Sequence, residues 1–291
     1  MHDRDAKAKT DHPRAIMPRG AIYLTLEELL GTLDVPHLQS TNDLGQILRQ
    51  SKVFDSAAKM HAAALLQTEQ CRRWLSVYAS ELLHVDGHLD ASRFGKTSPI
   101  SHMCAVLVEV LQGPGKNITL HFFCGQHVAS NDDLRGPAGL IRSLLTQLTL
   151  AVLQRWPQAK ADWISLGGVS GHSQTIRVGD LCHAFLQLLE KIPDHLTVYC
   201  VIDGISWFER DEWAEEYFGV VGMLRTGASD ETRGPSFKLL MTSPTRSGRE
   251  MRESLRPHQH VALSGGRVAL GPASDRALRN GVQEAVWGQG W

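Results

Sequence analysis

A mainly parallel α/β sheet covered by helices, preceded by a helical segment, is the fold this sequence predicts. Three observations carry it. Thr197-Val198-Tyr199-Cys200-Val201-Ile202-Asp203 is apolar on both alternating faces until it ends in an aspartate, the pattern of a strand buried on both sides. Phe237-Lys238-Leu239-Leu240-Met241-Thr242-Ser243 is a second such run, ending in hydroxyls. Between about residues 82 and 263, strand-like and helix-like segments alternate, as crossover units of a parallel sheet require.

In chain order, residues 1–20 are polar and charged and are expected to lack fixed structure. A helical segment is predicted over 21–80. Its first helix starts at Thr25, with Glu28 three residues on to complete a capping box and Gly31 to end it. A second helix runs from the Ser40-Thr41-Asn42-Asp43 region to about Arg49. One long helix spans Asp55 to about Ser80, with Trp74 and Tyr78 expected as core anchors. The α/β unit covers 81–264. It opens with a strand over 82–85, and Ser98-Pro99 starts the helix that follows. The strand Ile118–Cys124 precedes a helix opened by Gly136-Pro137. A Gly- and Ser-rich loop spans 165–176, and a helix over 179–192 leads to the strand at 197–203. A helix over 211–225, the strand at 237–243, a short helix near 247–255 and a last strand over 259–263 complete the unit. Residues 265–291 show no sustained period and are expected to form an irregular tail.

Composition narrows the function. The formal net charge is −1, so no global field draws the chain to nucleic acid or an anionic membrane. No run approaches the roughly 18–20 apolar residues of a membrane span, and the charged N-terminus has no secretory h-region. Five scattered cysteines, three of them inside apolar runs (Cys104, Cys124, Cys200), fit reduced, packed thiols in a cytoplasmic protein.

The chemistry-bearing stretches lie at predicted strand ends. Gly95-Lys96-Thr97 follows the strand at 82–85 and precedes a helix, the order of a phosphate-binding loop. There backbone N–H groups cradle phosphates, the lysine reaches the outer phosphates and the hydroxyl binds Mg²⁺. Asp90 stands where the loop's first glycine belongs. Asp203 sits where a strand-end carboxylate holds Mg²⁺, with Thr97 as the second metal ligand. Glu209 is the nearest candidate base, while Asp211 and Glu212 suit the N-terminus of the next helix. Thr242, Ser243 and Arg246 are placed to contact the outer phosphate. A polar loop with a chance Gly-Lys-Thr remains the alternative at the first of these sites, and a turn-capping aspartate at Asp203. His121, Cys124 and His127 are metal-ligand types, but they fall along one strand and its end with no second pair.

Through these residues the chain resembles the nucleotide-binding core of the NACHT-type STAND NTPases, in particular fungal proteins with a nephrocystin-like N-terminal domain. The matching blocks are Val85-Asp86-Gly87 with Gly95-Lys96-Thr97-Ser98-Pro99, His121–Gly125, Val201–Trp207 and Phe237–Ser243, over roughly residues 54–264. The resemblance implies a P-loop NTPase-like sheet and a switch that binds ATP or GTP with Mg²⁺, the nucleotide controlling self-association or contact with a signalling partner. Three departures weaken catalysis. They are Asp90, Ser206-Trp207 in place of the family's acidic pair, and Pro244 after the sensor strand. Too few residues follow 264 for the family's helical arm and repeats. The expectation is a regulatory nucleotide-binding domain with weak or no hydrolysis, at most a slow NTPase. The competing expectation is a catalytically dead scaffold or interaction domain that binds no nucleotide.

Overall fold

The computed structural model describes residues 22–90, 92–113, 117–161, 163–166, 176–229, 234–263 and 274–287. In chain order the elements are β1 (Ile22–Thr25), α1 (Leu26–Leu33), α2 (Gln39–Arg49), α3 (Ser56–Ala63), α4 (Glu69–Ser76), β2 (Glu81–Asp86), α5 (Pro99–Leu111), β3 (Ile118–Phe123) and α6 (Gly136–Arg155). They continue with β4 (Trp163–Leu166), α7 (Val178–Glu190), β5 (Thr197–Asp203), α8 (Ala214–Ser229), β6 (Ser236–Ser243), α9 (Arg249–Glu253), β7 (His260–Ala262) and α10 (Asp275–Trp287).

Five strands form one parallel sheet in the order β3-β5-β6-β2-β7, the five predicted from sequence. Side chains alternate between two cores. Val198, Cys200 and Ile202 of β5 point to the face covered by α1, α6, α7 and α8, and Tyr199 and Val201 to the face covered by α2, α4, α5 and α10. Burial on both faces is why these strands are almost continuously apolar. The chain leaves β2 for the far edge at β3, returns through β5 and β6 to β2's side, then passes β2 to β7. The connection after β2 leaves through α5 on one face, while that after β6 leaves through α9, whose Met251 joins the opposite core. A sheet of this kind has its switch point between those two strands, where ligands commonly bind.

Local signals explain the N-terminal region. Thr25 and Glu28 form the predicted capping box of α1. The single long helix predicted over 55–80 is instead α3, a 3₁₀ turn at Ala64–Gln67, and α4. Thr68 makes the break: its backbone is extended and its hydroxyl accepts the Cys71 N–H, capping a new helix. Trp74 is buried with its ring centroid 5.5 Å from that of Tyr199. Tyr78 is no core anchor; it is 56% exposed and donates to the Asp194 carbonyl.

Three further departures stand out. β1 and β4 pair antiparallel as a small second sheet, which takes the first two residues of the predicted Gly- and Ser-rich loop; residues 167–175 of that loop lie outside the described residues. Residues 275–287 of the expected irregular tail are a helix, α10, with Leu278 and Val282 buried against the α4–α5 side. Asp275 ties it to Lys59 and Ser51, and Arg279 to Glu109. Finally, α6 is long and apolar enough to cross a membrane by length and composition, although two-thirds of its apolar window is buried in this fold.

Candidate functional site

The carboxyl ends of the parallel strands line up in register. Phe123 lies opposite Asp203, Val85 opposite Thr242, and Asp86 opposite Ser243. Gly125, just beyond β3, lies under the Lys96 carbonyl, so close that a Cβ at Gly125 would meet it at 1.9 Å. The Gly95-Lys96-Thr97 segment therefore shares the sheet edge with Asp203, as the sequence predicts.

Asp203 is 3% exposed. Its Oδ1 accepts from the Thr242 hydroxyl at 2.7 Å, and that hydroxyl accepts the Gly204 N–H at 3.1 Å. Burial pushes the Asp203 carboxyl up to about 6, against the opposing pull of the Ser101 and Thr242 hydroxyls. Ser101 is thus the α5 hydroxyl close enough to Asp203 to act on it; its own hydrogen bonds are with Ser98, and Thr97 has no hydrogen bond to Asp203. Ser101 stands in the first turn of α5, where Ser98 caps the helix: Ser98 Oγ accepts the Ser101 N–H, and Ser101 Oγ accepts the Ser98 N–H. Lys96 lies two residues before that cap, outside the helix.

The residue preceding Ser101 is Ile100, fully buried. It packs onto Gly87, where an added Cβ would meet Ile100 Cδ1 at 2.3 Å and the Pro244 carbonyl oxygen at 2.5 Å. Around it the loops after β2 and β6 are joined by backbone hydrogen bonds. Gly87 N–H donates to Ser243 O, His88 N–H to Thr245 O, and Leu89 N–H to Pro244 O, at 2.8–3.0 Å. Among the described residues, Ile100 and these paired loops thus occupy the switch point between β2 and β6.

The other predicted site residues are dispersed. Lys96 and Gly95 are exposed and Thr97 half-buried, on the wall of a cavity of about 630 Å³ shared with α2 (Gln39, Asp43, Gln46), Arg93, Gln126 and His127. Glu209 accepts from the Tyr217 hydroxyl at 2.9 Å and from the Gly248 N–H at 2.7 Å. It is a strut between the β5–α8 loop and α9. Ser243 is wholly buried and Arg246 is exposed. Among the described residues no three His, Cys, Asp or Glu side chains converge on a point that suits a metal ion.

Two buried clusters at this edge lie outside the predicted set. At the end of β2, Asp86 accepts from the Ser247 N–H at 2.9 Å and faces His84 Nε2 at 3.3 Å and His260 Nε2 at 3.0 Å. Burial pushes its carboxyl up, but the hydrogen bonds of His84 and Ser247 outweigh it and hold the group well below the usual range. Beyond β3, His127 sits between Asp43 of α2 and Asp132. Burial pulls its imidazole down, but the hydrogen bonds and charges of Asp43 and Asp132 prevail and raise it above its ordinary value. Asp43 and His127 are 84 positions apart, and no local pattern joins them.

No curated protein and no solved structure matches this chain. The model of one family, described as nephrocystin 3, N-terminal, matches residues 62–243. That span runs from the end of α3 to the last residue of β6, and so takes in Gly95-Lys96-Thr97, Ile100, Asp203 and the paired strand ends. The chain belongs to the nephrocystin 3 N-terminal family.

Proposed function

We propose that this domain is an interaction scaffold, for self-association or for a signalling partner, which keeps a P-loop-like framework without a nucleotide at its strand-end crevice. The observation that carries this is Ile100. A phosphate loop sets a lysine directly before the hydroxyl residue at the helix start, with free N–H groups around it. Here the hydroxyl facing Asp203 is Ser101, and the residue before it is a buried isoleucine locked between Gly87 and Pro244. The N–H of Ser101 is already taken by Ser98. A nucleotide with Mg²⁺ does not fit these residues. The test is calorimetric titration of the purified protein with ATP and with GTP in the presence of Mg²⁺. No saturable binding is expected, and Lys96→Ala should leave the trace unchanged. Saturable binding weakened about ten- to a hundred-fold by Lys96→Ala, the size of a lost charge-assisted contact, would refute the scaffold reading.

One observation favours the second reading, a slow nucleotide-controlled switch of the NACHT type. Asp203 is a buried carboxylate whose partners are hydroxyls, an environment that a cation would improve. In that reading Lys96, beside the 630 Å³ cavity, meets phosphate after the Gly87–Ser243 contact opens. Saturable nucleotide binding with single-turnover hydrolysis well below roughly 1 s⁻¹, an ordinary enzymatic rate, the hydrolysis abolished by Asp203→Ala, would establish it.

A further inference from the structure

We propose that a proton on His127 clamps the N-terminal helix α2 to the sheet edge, so that α2 is held firmly when His127 is charged and loosens as the pH rises. The inference is independent of whether any nucleotide binds.

The geometry demands two N–H groups on one imidazole. His127 Nδ1 lies 3.0 Å from Asp132 Oδ2, and Nε2 lies 3.2 Å from Asp43 Oδ2. An ionised carboxylate only accepts, and a neutral imidazole has a single N–H, so both contacts are hydrogen bonds only in the imidazolium form. His127 is 3% exposed and Asp43 8%, which leaves little water to take over a lost bond. Both carboxylates are fixed independently. Asp43 Oδ1 accepts from Gln39 Nε2 within α2, and Asp132 Oδ1 accepts the Leu134 N–H. The ring is held flat by Phe122 of β3, stacked at 4.6 Å. Lys96 and Arg93 are exposed on the same cavity, and Arg142 donates to the Asp133 carbonyl beside Asp132; none of the three forms an ion pair with Asp43 or Asp132.

Loss of the proton is asymmetric. Asp132 is five residues from His127 in the same loop, with both oxygens within 3.2 Å of Nδ1. The remaining N–H stays there at little cost. Nε2 then turns a lone pair toward Asp43, and the contact that fails is the one to α2. A second histidine tethers α2 and loses its proton at lower pH than His127. His121 Nε2 donates to the Ser40 carbonyl at 3.0 Å, and burial pulls His121 below its ordinary value. With Leu44 and Ile47 packed in the core, this tether keeps α2 in place while the clamp opens, so the change is a loosening and not a detachment. The sign follows from His127 being raised in the folded state. The clamp is complete below the ordinary imidazole value of 6.5 and is lost as the pH climbs through the folded value.

The experiment is amide hydrogen exchange on the full chain at pH 6 and pH 8, corrected for intrinsic rates. Protection of α2 amides is expected to fall about tenfold for each unit by which His127 is raised, while α6 amides keep theirs. His127→Gln, which retains one donor and cannot titrate, should abolish the difference. Should that variant fail to fold, Asp43→Asn serves the same purpose. It should also bring the His127 titration, followed by NMR, down toward the ordinary value. Equal α2 protection at both pH values in the wild type would overturn the proposal, as would a pH difference that survives in Asp43→Asn.

Discussion

Asp86 and Asp203 end two strands of the same sheet edge, and both are buried, yet they are opposite cases. Asp86 is surrounded by two imidazoles and a backbone N–H, and its charged form is favoured in spite of burial. Among the described residues the groups that favour the charged form of Asp203 are hydroxyls, and they do not outweigh its burial. Burial alone therefore says little about a carboxylate; its partners decide whether it stabilises the fold or strains it. Asp86 joins β2, β7 and the loop after β6 into one unit. Asp203 imposes a cost at neutral pH that the described residues do not offset.

The largest expected effect tests the first half of that contrast. Asp86→Ala removes the common partner of His84, His260 and the Ser247 N–H, and should cost about 3–5 kcal/mol, read as a lower urea midpoint. Since the Asp86 carboxyl is held below its ordinary value of 3.8, its contribution is present above that pH and is lost on acidification toward the folded value. Asp203→Asn should do the reverse. Raised from 3.8 to about 6, the ionised group costs at most about 3 kcal/mol. The variant should therefore be more stable than wild type above pH 6, with the gain vanishing below 3.8. Destabilisation by Asp203→Asn at pH 8 would erase the distinction between the two carboxylates.

A smaller effect sharpens the comparison at the third acidic side chain of this edge. Tyr217 and Gly248 donate to different oxygens of Glu209, so Glu209→Gln keeps an acceptor for one of them and removes the charge; it should cost about 1 kcal/mol without moving the Asp203 titration. Smallest are Gly219→Ala and Gly222→Ala on α8, where an added Cβ meets nothing within 4 Å. Each should raise stability by roughly 0.5–1 kcal/mol through helix propensity, measured by thermal unfolding, and should leave both aspartates untouched.

The five strands were legible because burial on both faces makes each an apolar run. The break at Thr68 was not, since Trp74, Leu75 and the residues before them keep a helical period across it. β1 and β4 are four residues each, too short to show alternation. In α10 only Leu278 and Val282, one turn apart, are buried, and the charged residues around them mask the stripe. At the site, Gly95-Lys96-Thr97 gave the correct edge, while the local signal that qualifies it was also present: Ser98-Pro99 starts the helix only after the lysine has passed. What that displacement puts beside Asp203, Ser101 with Ile100 before it, depends on tertiary placement. So does the meeting of Asp43 with His127.

The five cysteines are unpaired and buried, on α4, α5, the turn after β3, α7 and β5. Burial raises every thiol, Cys182 to about 11 and Cys71 to about 12. Because the thiolate is the reacting species, alkylating reagents should find almost nothing to modify in the folded protein. Each cysteine becomes reactive only when its own element opens. The chain thus carries five native clocks for unfolding, distributed over both faces of the sheet, and the order in which they are labelled gives the order in which the two cores come apart.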